Sequence, residues 1–260
     1  MNALKAGMLS LCLLTGAVAP AGATSITISD VGVTYYENVS LTGGALGSGT
    51  LNAAFSGQIN LSSSIGNLGV WCVDLFHEIF LGGHYTATTA PYSSNNSTPS
   101  TSLTADQISQ VSAIAAFGNA LLQPSTNRTF DPATLAAFSA GVAQFQSAAP
   151  TDYAAIMNGS PNSLSTLSAA VQAAIWNVIY GTTATNSSDA HFATDLAIIL
   201  ANARDYFGNI GGYQLDIVDA QGNQVQRQFL SQVPEPATLG LILLGFAGLF
   251  AMRRRLNSRA

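Results

Sequence analysis

Two hydrophobic periods divide the chain. From Ser25 to about Phe80 apolar and polar residues alternate with the two-residue repeat of strands. Ser25 to Asp30 alternates with Ile26 and Ile28 on one face. Val31 to Val39 and Ala53 to Leu61 predict further strands, divided by the turn region from Gly43-Gly44 to Gly49. Gly69 to Phe80 predicts another strand, with Val70, Cys72, Asp74 and Phe76 on one face and Trp71, Val73 and Leu75 on the other. Both faces are largely apolar, as in a central strand that runs on into a helix or turn. A polar Ser/Asn/Thr/Pro loop spans Tyr92 to Ser102, and the repeat then lengthens to that of helices. Thr104, with Gln107 three residues on, forms a capping box for a helix to about Leu122, whose apolar stripe is Ile108, Val111, Ala115 and Leu122. Asp131-Pro132 opens a second helix, to about Ser147, with Asp as cap and Pro in the first turn. Ser163 or Ser165 starts a third, which ends at Tyr180-Gly181, and a fourth runs from Ser188 to Phe207 and stops at Gly208. Gly212 to Asp219 and Gln224 to Phe229 predict a hairpin across Ala220-Gln221-Gly222-Asn223. The expected class is α+β. Its strand-rich N-terminal part forms a sheet, sandwich or barrel; a four-helix insertion follows, and the C-terminal hairpin rejoins the sheet.

The two ends carry addresses rather than domain structure. Lys5, the apolar stretch Ala6 to Ala19 and the small residues Ala21-Gly22-Ala23 predict a signal peptide over residues 1–23, with the mature chain starting at Thr24. At the other end, Val233-Pro234-Glu235-Pro236 precedes an apolar run from Ala237 to Met252 and the cluster Arg253-Arg254-Arg255. The run is slightly shorter than the ~20 residues that cross a bilayer core, a deficit that snorkelling arginines and a thin membrane make up. The arginines favour the cytoplasmic side, which puts the 24–232 domain outside it. Pro234 and Pro236 disfavour helix, so the span 237–252 begins after them and leaves a stiff exposed linker. This order, Pro-Glu-Pro, an apolar helix with Gly240, Gly245 and Gly248, then Arg, closely resembles the PEP-CTERM sorting signal of Gram-negative bacteria, here over residues 233–255. The resemblance implies cleavage by an exosortase-type processing protease. It also implies delivery of a membrane-anchored precursor to the cell surface or extracellular polymer matrix.

Charge narrows the class of partner. Between Thr24 and Glu235 stand Arg128, Arg204 and Arg227 against thirteen Asp and Glu, a formal charge of −10, with no lysine. So acidic a surface repels nucleic acid, and nucleic-acid binding is not expected. The ~210 residues suffice for one domain or two small ones. Cys12 falls in the signal peptide, which leaves Cys72 as the one cysteine of the mature chain. An exported protein with one cysteine makes no internal disulfide, so Cys72 must be buried, paired with another chain or otherwise committed.

The third helix supplies a companion for that cysteine. Helical spacing puts Gln172, Ile175, Trp176 and Ile179 on one face, and a glutamine in an apolar face needs a hydrogen-bond partner. Trp71-Cys72-Val73-Asp74, followed about a hundred residues later by Val171-Gln172-Ala173-Ala174-Ile175-Trp176, looks like the thioester domains of bacterial surface adhesins. That family has an aromatic–Cys–apolar–Asp/Asn element and a later Gln-x-x-apolar-Trp helix. The resemblance implies an internal thioester between Cys72 and Gln172 formed with loss of ammonia, with Trp176 packed beside it. It implies too a single-turnover acyl transfer to an amine-bearing surface macromolecule or extracellular polymer rather than an enzyme. Trp71 and Trp176 are placed to exclude water, and Asp74 or His77 to orient or deprotonate the amine.

Other chemistries compete for the same residues. A non-covalent structural or adhesive envelope protein would keep Cys72 inert beside a core tryptophan, with Gln172 bonded to backbone. A Cys-His hydrolase would pair Cys72 with His77, His84 or His191. A zinc site from Cys72, His77 and His84 has no recognised spacing; the acidic surface leaves calcium open, yet no linear calcium loop occurs, nor a phosphate loop or nucleotide fingerprint. No cofactor or resident metal is expected.

Overall fold

The computed structural model describes residues 25–93, 102–122, 132–202 and 212–231. The signal segment 1–23, the predicted span 237–252 and the sorting residues Pro234 to Arg255 lie outside these. Among the described residues no helix is long and apolar enough to cross a membrane.

The strand-forming segments close a six-stranded antiparallel barrel. β1 (Ser25–Thr42), β2 (Thr50–Ser63), β3 (Gly66–Cys72), β4 (Tyr85–Pro91), β6 (Gly212–Val218) and β7 (Gln224–Ser231) pair in the ring β1-β2-β3-β7-β6-β4 and back to β1. β5 (Thr183–Thr185) adds a short seventh strand on β1. β1 makes closure possible because it is long enough to serve two neighbours: Ser25–Ile28 pairs with β4, and Ile28–Thr42 pairs with β2. Closure satisfies strand edges that an open sheet would expose. The hairpin of β6 and β7 rejoins the first strands through β4 and β3, as the sequence predicts.

Among the described residues five helices occupy the crossover from β4 to β6: α1 (Ala105–Leu122), α2 (Pro132–Ala148), α3 (Pro150–Met157), α4 (Pro161–Tyr180) and α5 (Phe192–Asn202). The capping box forms as read: Thr104 N–H donates to Gln107 Oε1 at 3.0 Å, and Gln107 N–H donates to Thr104 Oγ1 at 3.2 Å. α4 is buried around most of its circumference and packs on α1, α5, β1 and β2, which makes it the central rod between barrel and outer helices. Ser56 Oγ donates to the Ala169 carbonyl at 2.8 Å, and Gln58 N–H donates to Ser168 Oγ at 2.9 Å, so α4 is pinned to β2 by hydrogen bonds.

Several expectations need correction. The two predicted strands from Ser25 to Val39 are one, because its bulges absorb the pattern breaks that read as ends. The four-helix insertion has a fifth member, α3, set off by Pro150. The third predicted helix starts earlier, at Pro161 behind Ser160, and the fourth starts later, at Phe192. The strand expected over Gly69–Phe80 ends at Cys72, and β4 lies in a stretch where no strand was expected.

Candidate functional site

The end of β3 creates the site. β3 pairs with β2 only as far as Val70, opposite Ile59, while β7 accompanies it through Cys72. Val73 N–H then donates to Arg227 O at 3.2 Å, so the N–H and C=O of Cys72 face the side that β2 has left. Gln172 fills that place. Its Oε1 accepts from Cys72 N–H at 2.9 Å, and its Nε2 donates to Cys72 O at 2.7 Å. A side-chain amide thus completes the ladder as a neighbouring strand would, and Gln172 is fully buried.

The sulfur has its own partners. Cys72 Sγ donates to Asp74 O at 2.9 Å, and Gln226 Nε2 donates to Sγ at 3.1 Å. Burial pushes the thiol up to about 12, with the Asp74 charge adding to it; the bond to Asp74 O and the nearby Trp176 indole pull the other way. The thiol is therefore protonated at neutral pH. Trp176 lies one helical turn beyond Gln172, and its Nε1 has no hydrogen-bond partner. Asp74 is buried. Its Oδ1 accepts from Phe76 N–H at 3.2 Å and meets His77 Nδ1 at 2.9 Å. With Nδ1–H donated to that carboxylate, the basic position left on the ring is Nε2.

A cleft of about 400 Å³ leads to this group, lined by Cys72, Asp74, His77, Trp176 and Gln226 among apolar side chains of β2 and of the segment after β3. That segment is fastened from below. Tyr180 Oη donates to Val73 O at 3.0 Å and accepts from Leu75 N–H at 3.3 Å, and Gln226 Nε2 donates to His77 O at 2.6 Å. Phe76, Phe80 and Leu81 stand exposed along it. Residues 232–255 match the PEP-CTERM protein-sorting motif. This motif is the substrate signal of exosortase processing, and the chain is accordingly an exported surface protein. No curated protein matches the sequence. Two solved structures are similar. One is the N-terminal thioester domain of a surface protein from Clostridium perfringens, at 13% identity and TM-score 0.34, covering 67% of this chain and 87% of that one. The other is the N-terminal thioester domain of a protein F2 like fibronectin-binding protein from Streptococcus pneumoniae, at 10% identity and TM-score 0.38, covering 79% and 92%. Likeness at that level is distant, and the chemistry has to be argued from the side chains.

The fold brings together Cys72, Gln172, Asp74, His77 and Trp176. Trp71 is turned the other way: its Nε1 donates to Asn119 Oδ1 at 2.7 Å, and its ring packs beside Gly118 of α1, so it is a core residue rather than a wall of the cleft. His84 is exposed before β4, and His191 pairs with Asp152 at 2.8 Å. Neither these nor His77 bonds to the sulfur, so a Cys-His dyad finds no support in the geometry. Among the described residues no three His, Cys, Asp or Glu side chains are placed to hold a metal ion, which includes the Cys72, His77, His84 set. The residue that sequence reading missed is Gln226. Its signal was present in the alternation of Gln224, Gln226 and Gln228 along a strand, a polar face that reads as solvent-facing, of which closure of the barrel buries Gln226 and Gln228.

Proposed function

We propose that the exported domain is a covalent adhesin in which Cys72 and Gln172 form an internal thioester that acylates amines on another macromolecule. The observation that carries this reading is the pair of hydrogen bonds seating the buried Gln172 amide on the peptide unit of Cys72, a residue that lines the cleft. In thioester formation Cys72 Sγ bonds to Gln172 Cδ, the Cδ–Nε2 bond breaks, and the thiol proton leaves with the nitrogen as ammonia. Negative charge builds on Oε1, which already accepts from Cys72 N–H, so one residue supplies both nucleophile and oxyanion donor. In the transfer step an amine nitrogen bonds to Cδ, the Cδ–Sγ bond breaks, and a proton from the amine ends on the sulfur. A thiol of high pKa is a poor leaving group, and the Gln226 donor at Sγ offsets that. His77 Nε2, its ring fixed by Asp74, accepts the amine proton. Trp176 and the apolar walls limit hydrolysis. Each molecule reacts once, because Gln172 is consumed; this is not enzyme turnover.

The sorting signal supports a destination on the cell surface or in the extracellular matrix of a Gram-negative bacterium, with residues 237–252 as the membrane span until exosortase cleavage. The intact mass of the purified protein tests the chemistry. A mass short by one ammonia, replaced on treatment by the mass of an added methylamine at Gln172, is the expected result. An unmodified mass, with Cys72 fully alkylated in the unfolded chain, would favour the competing reading. In that reading Gln172 is only a strand cap, Cys72 is inert, and the domain adheres without a covalent bond.

A further inference from the structure

The buried glutamines of β7 run alongside the sulfur. Gln228 stands opposite Cys72 of β3 and Leu215 of β6, and Gln226 lies two residues back on the same face of the strand. Both side chains are buried, Gln228 completely. What surrounds the Gln226 amide fixes its orientation. One end faces the carbonyls of His77 at 2.6 Å and Asp74 at 3.4 Å, which only accept, so that end is Nε2. Two protons are available there, and His77 O takes one. The other falls to Cys72 Sγ at 3.1 Å, because Asp74 O already receives the Sγ–H at 2.9 Å. The opposite end, Oε1, also only accepts, so the Gln228 atom that meets it is Nε2. Gln228 Oε1 is left buried with no hydrogen-bond partner. An unpaired buried acceptor is costly, and an apolar side chain of similar length would remove it.

We propose that Gln228 is a positioning residue for the acyl transfer: by donating to Gln226 Oε1 it holds the Gln226 amide with an N–H aimed at Cys72 Sγ, where charge collects as the Cδ–Sγ bond breaks. The chemistry of this role rests on the thioester reading, whereas the relay of hydrogen bonds stands without it. When an amine attacks Gln172 Cδ, the electron pair of the Cδ–Sγ bond goes to sulfur and a proton from the amine follows. A thioester sulfur accepts hydrogen bonds weakly and a thiolate strongly, so the bond from Gln226 gains strength as the sulfur leaves. Donation from Gln228 polarises the same amide and strengthens its N–H as a donor. The sulfur needs that help, since burial disfavours its charged form. The unpaired Gln228 Oε1 is the penalty for turning Nε2, rather than the oxygen, toward Gln226.

Two rates, measured on the full-length protein near neutral pH, test this with Gln228→Met, Gln226→Met and the double variant. The first is the single-turnover rate of methylamine incorporation at Gln172, read by intact mass. The second is the rate of Cys72 alkylation by iodoacetamide in the folded, methylamine-treated protein, where the thiol is free. Gln226→Met should slow both by about tenfold or more. Gln228→Met should slow both at least about threefold, and should have no further effect once Gln226 is gone. Its Tm should stay close to wild type, since it removes one unpaired buried oxygen while baring another, Gln226 Oε1. Gln228→Glu should restore both rates, because a buried carboxyl stays protonated and donates in place of Nε2. Should Gln228→Met not fold, Gln228→Leu reads the same loss. A wild type without a thioester would defeat the acylation reading, and the alkylation rates would still decide the relay. Unchanged rates in Gln228→Met, an equal slowing with and without Gln226, or a slowing that tracks a fall in Tm would overturn the proposal.

Discussion

At Cys72 a strand loses its neighbour, and one glutamine side chain finishes the ladder. This gives Gln172 a structural duty that any chemistry must respect, since its two bonds satisfy a buried N–H and a buried C=O. The duty can be measured apart from the thioester in a Cys72→Ala background, where no acyl bond can form. Gln172→Leu added there leaves both Cys72 backbone groups without partners. Each such group costs about 1–3 kcal/mol, so the double variant should lose on the order of 3 kcal/mol against Cys72→Ala alone in urea denaturation. A loss below about 1 kcal/mol would mean that water or a shifted β2 takes over the bonds. The same residue then serves twice. The Cys72 N–H that holds the amide in place also polarises its carbonyl.

At the level of elements, the site exists because α4 is wedged where β2 and β3 part. The wedge requires close approach between α4 and its other neighbour, α1. A Cβ on Gly118 would lie 2.7 Å from Val171 Cγ1 and 2.8 Å from Trp71 Cζ2, both fixed in the core. Gly118→Ala should therefore cost about 1–3 kcal/mol by overpacking, despite the better helix propensity of alanine. If thermal melting found it stabilising, α1 would have room that the packing denies. Elements of this kind explain what could be read from the chain. The Thr104–Gln107 box and the final hairpin were legible because their signals are local. Cys72 and Gln172 were legible as a pair through their flanking residues, about a hundred positions apart. β4 was not, because Tyr85–Pro91 is mostly small, half-exposed Thr and Ala with little apolar contrast. The end of β3 was hidden for the opposite reason: Val73 and Asp74 are as buried as the strand before them, so the pattern runs on after the pairing stops. Gln226 depends on barrel closure, which no local stretch encodes.

Across the molecule, the acidity that argues against nucleic acid also sets a pH dependence. With thirteen carboxylates against eight lysines and arginines, of which only Arg227 is among the described residues, the folded domain concentrates negative charge around α3, α4 and α5. Asp195 carries the largest consequence. Its carboxyl is held up to about 7 when folded, against 3.8 ordinarily, so between those values the folded state keeps a proton that the unfolded chain releases. Stability from this group is full below about pH 4 and drains away as pH rises through 7, with a slope of at most about 1.4 kcal/mol per pH unit. Asp189, where burial raises the carboxyl but hydrogen bonds from the Thr166 hydroxyl and the His191 N–H outweigh it and hold it low, acts in the reverse sense and below its ordinary 3.8. Tm should therefore fall between pH 5 and pH 7.5, and Asp195→Asn should flatten that fall by removing the proton at issue. Melting curves of both proteins at several pH values check this. If Asp195→Asn left the slope untouched, the charge stress would lie on the Glu37–Asp189 pair instead, and Glu37→Gln would be the variant that removes it.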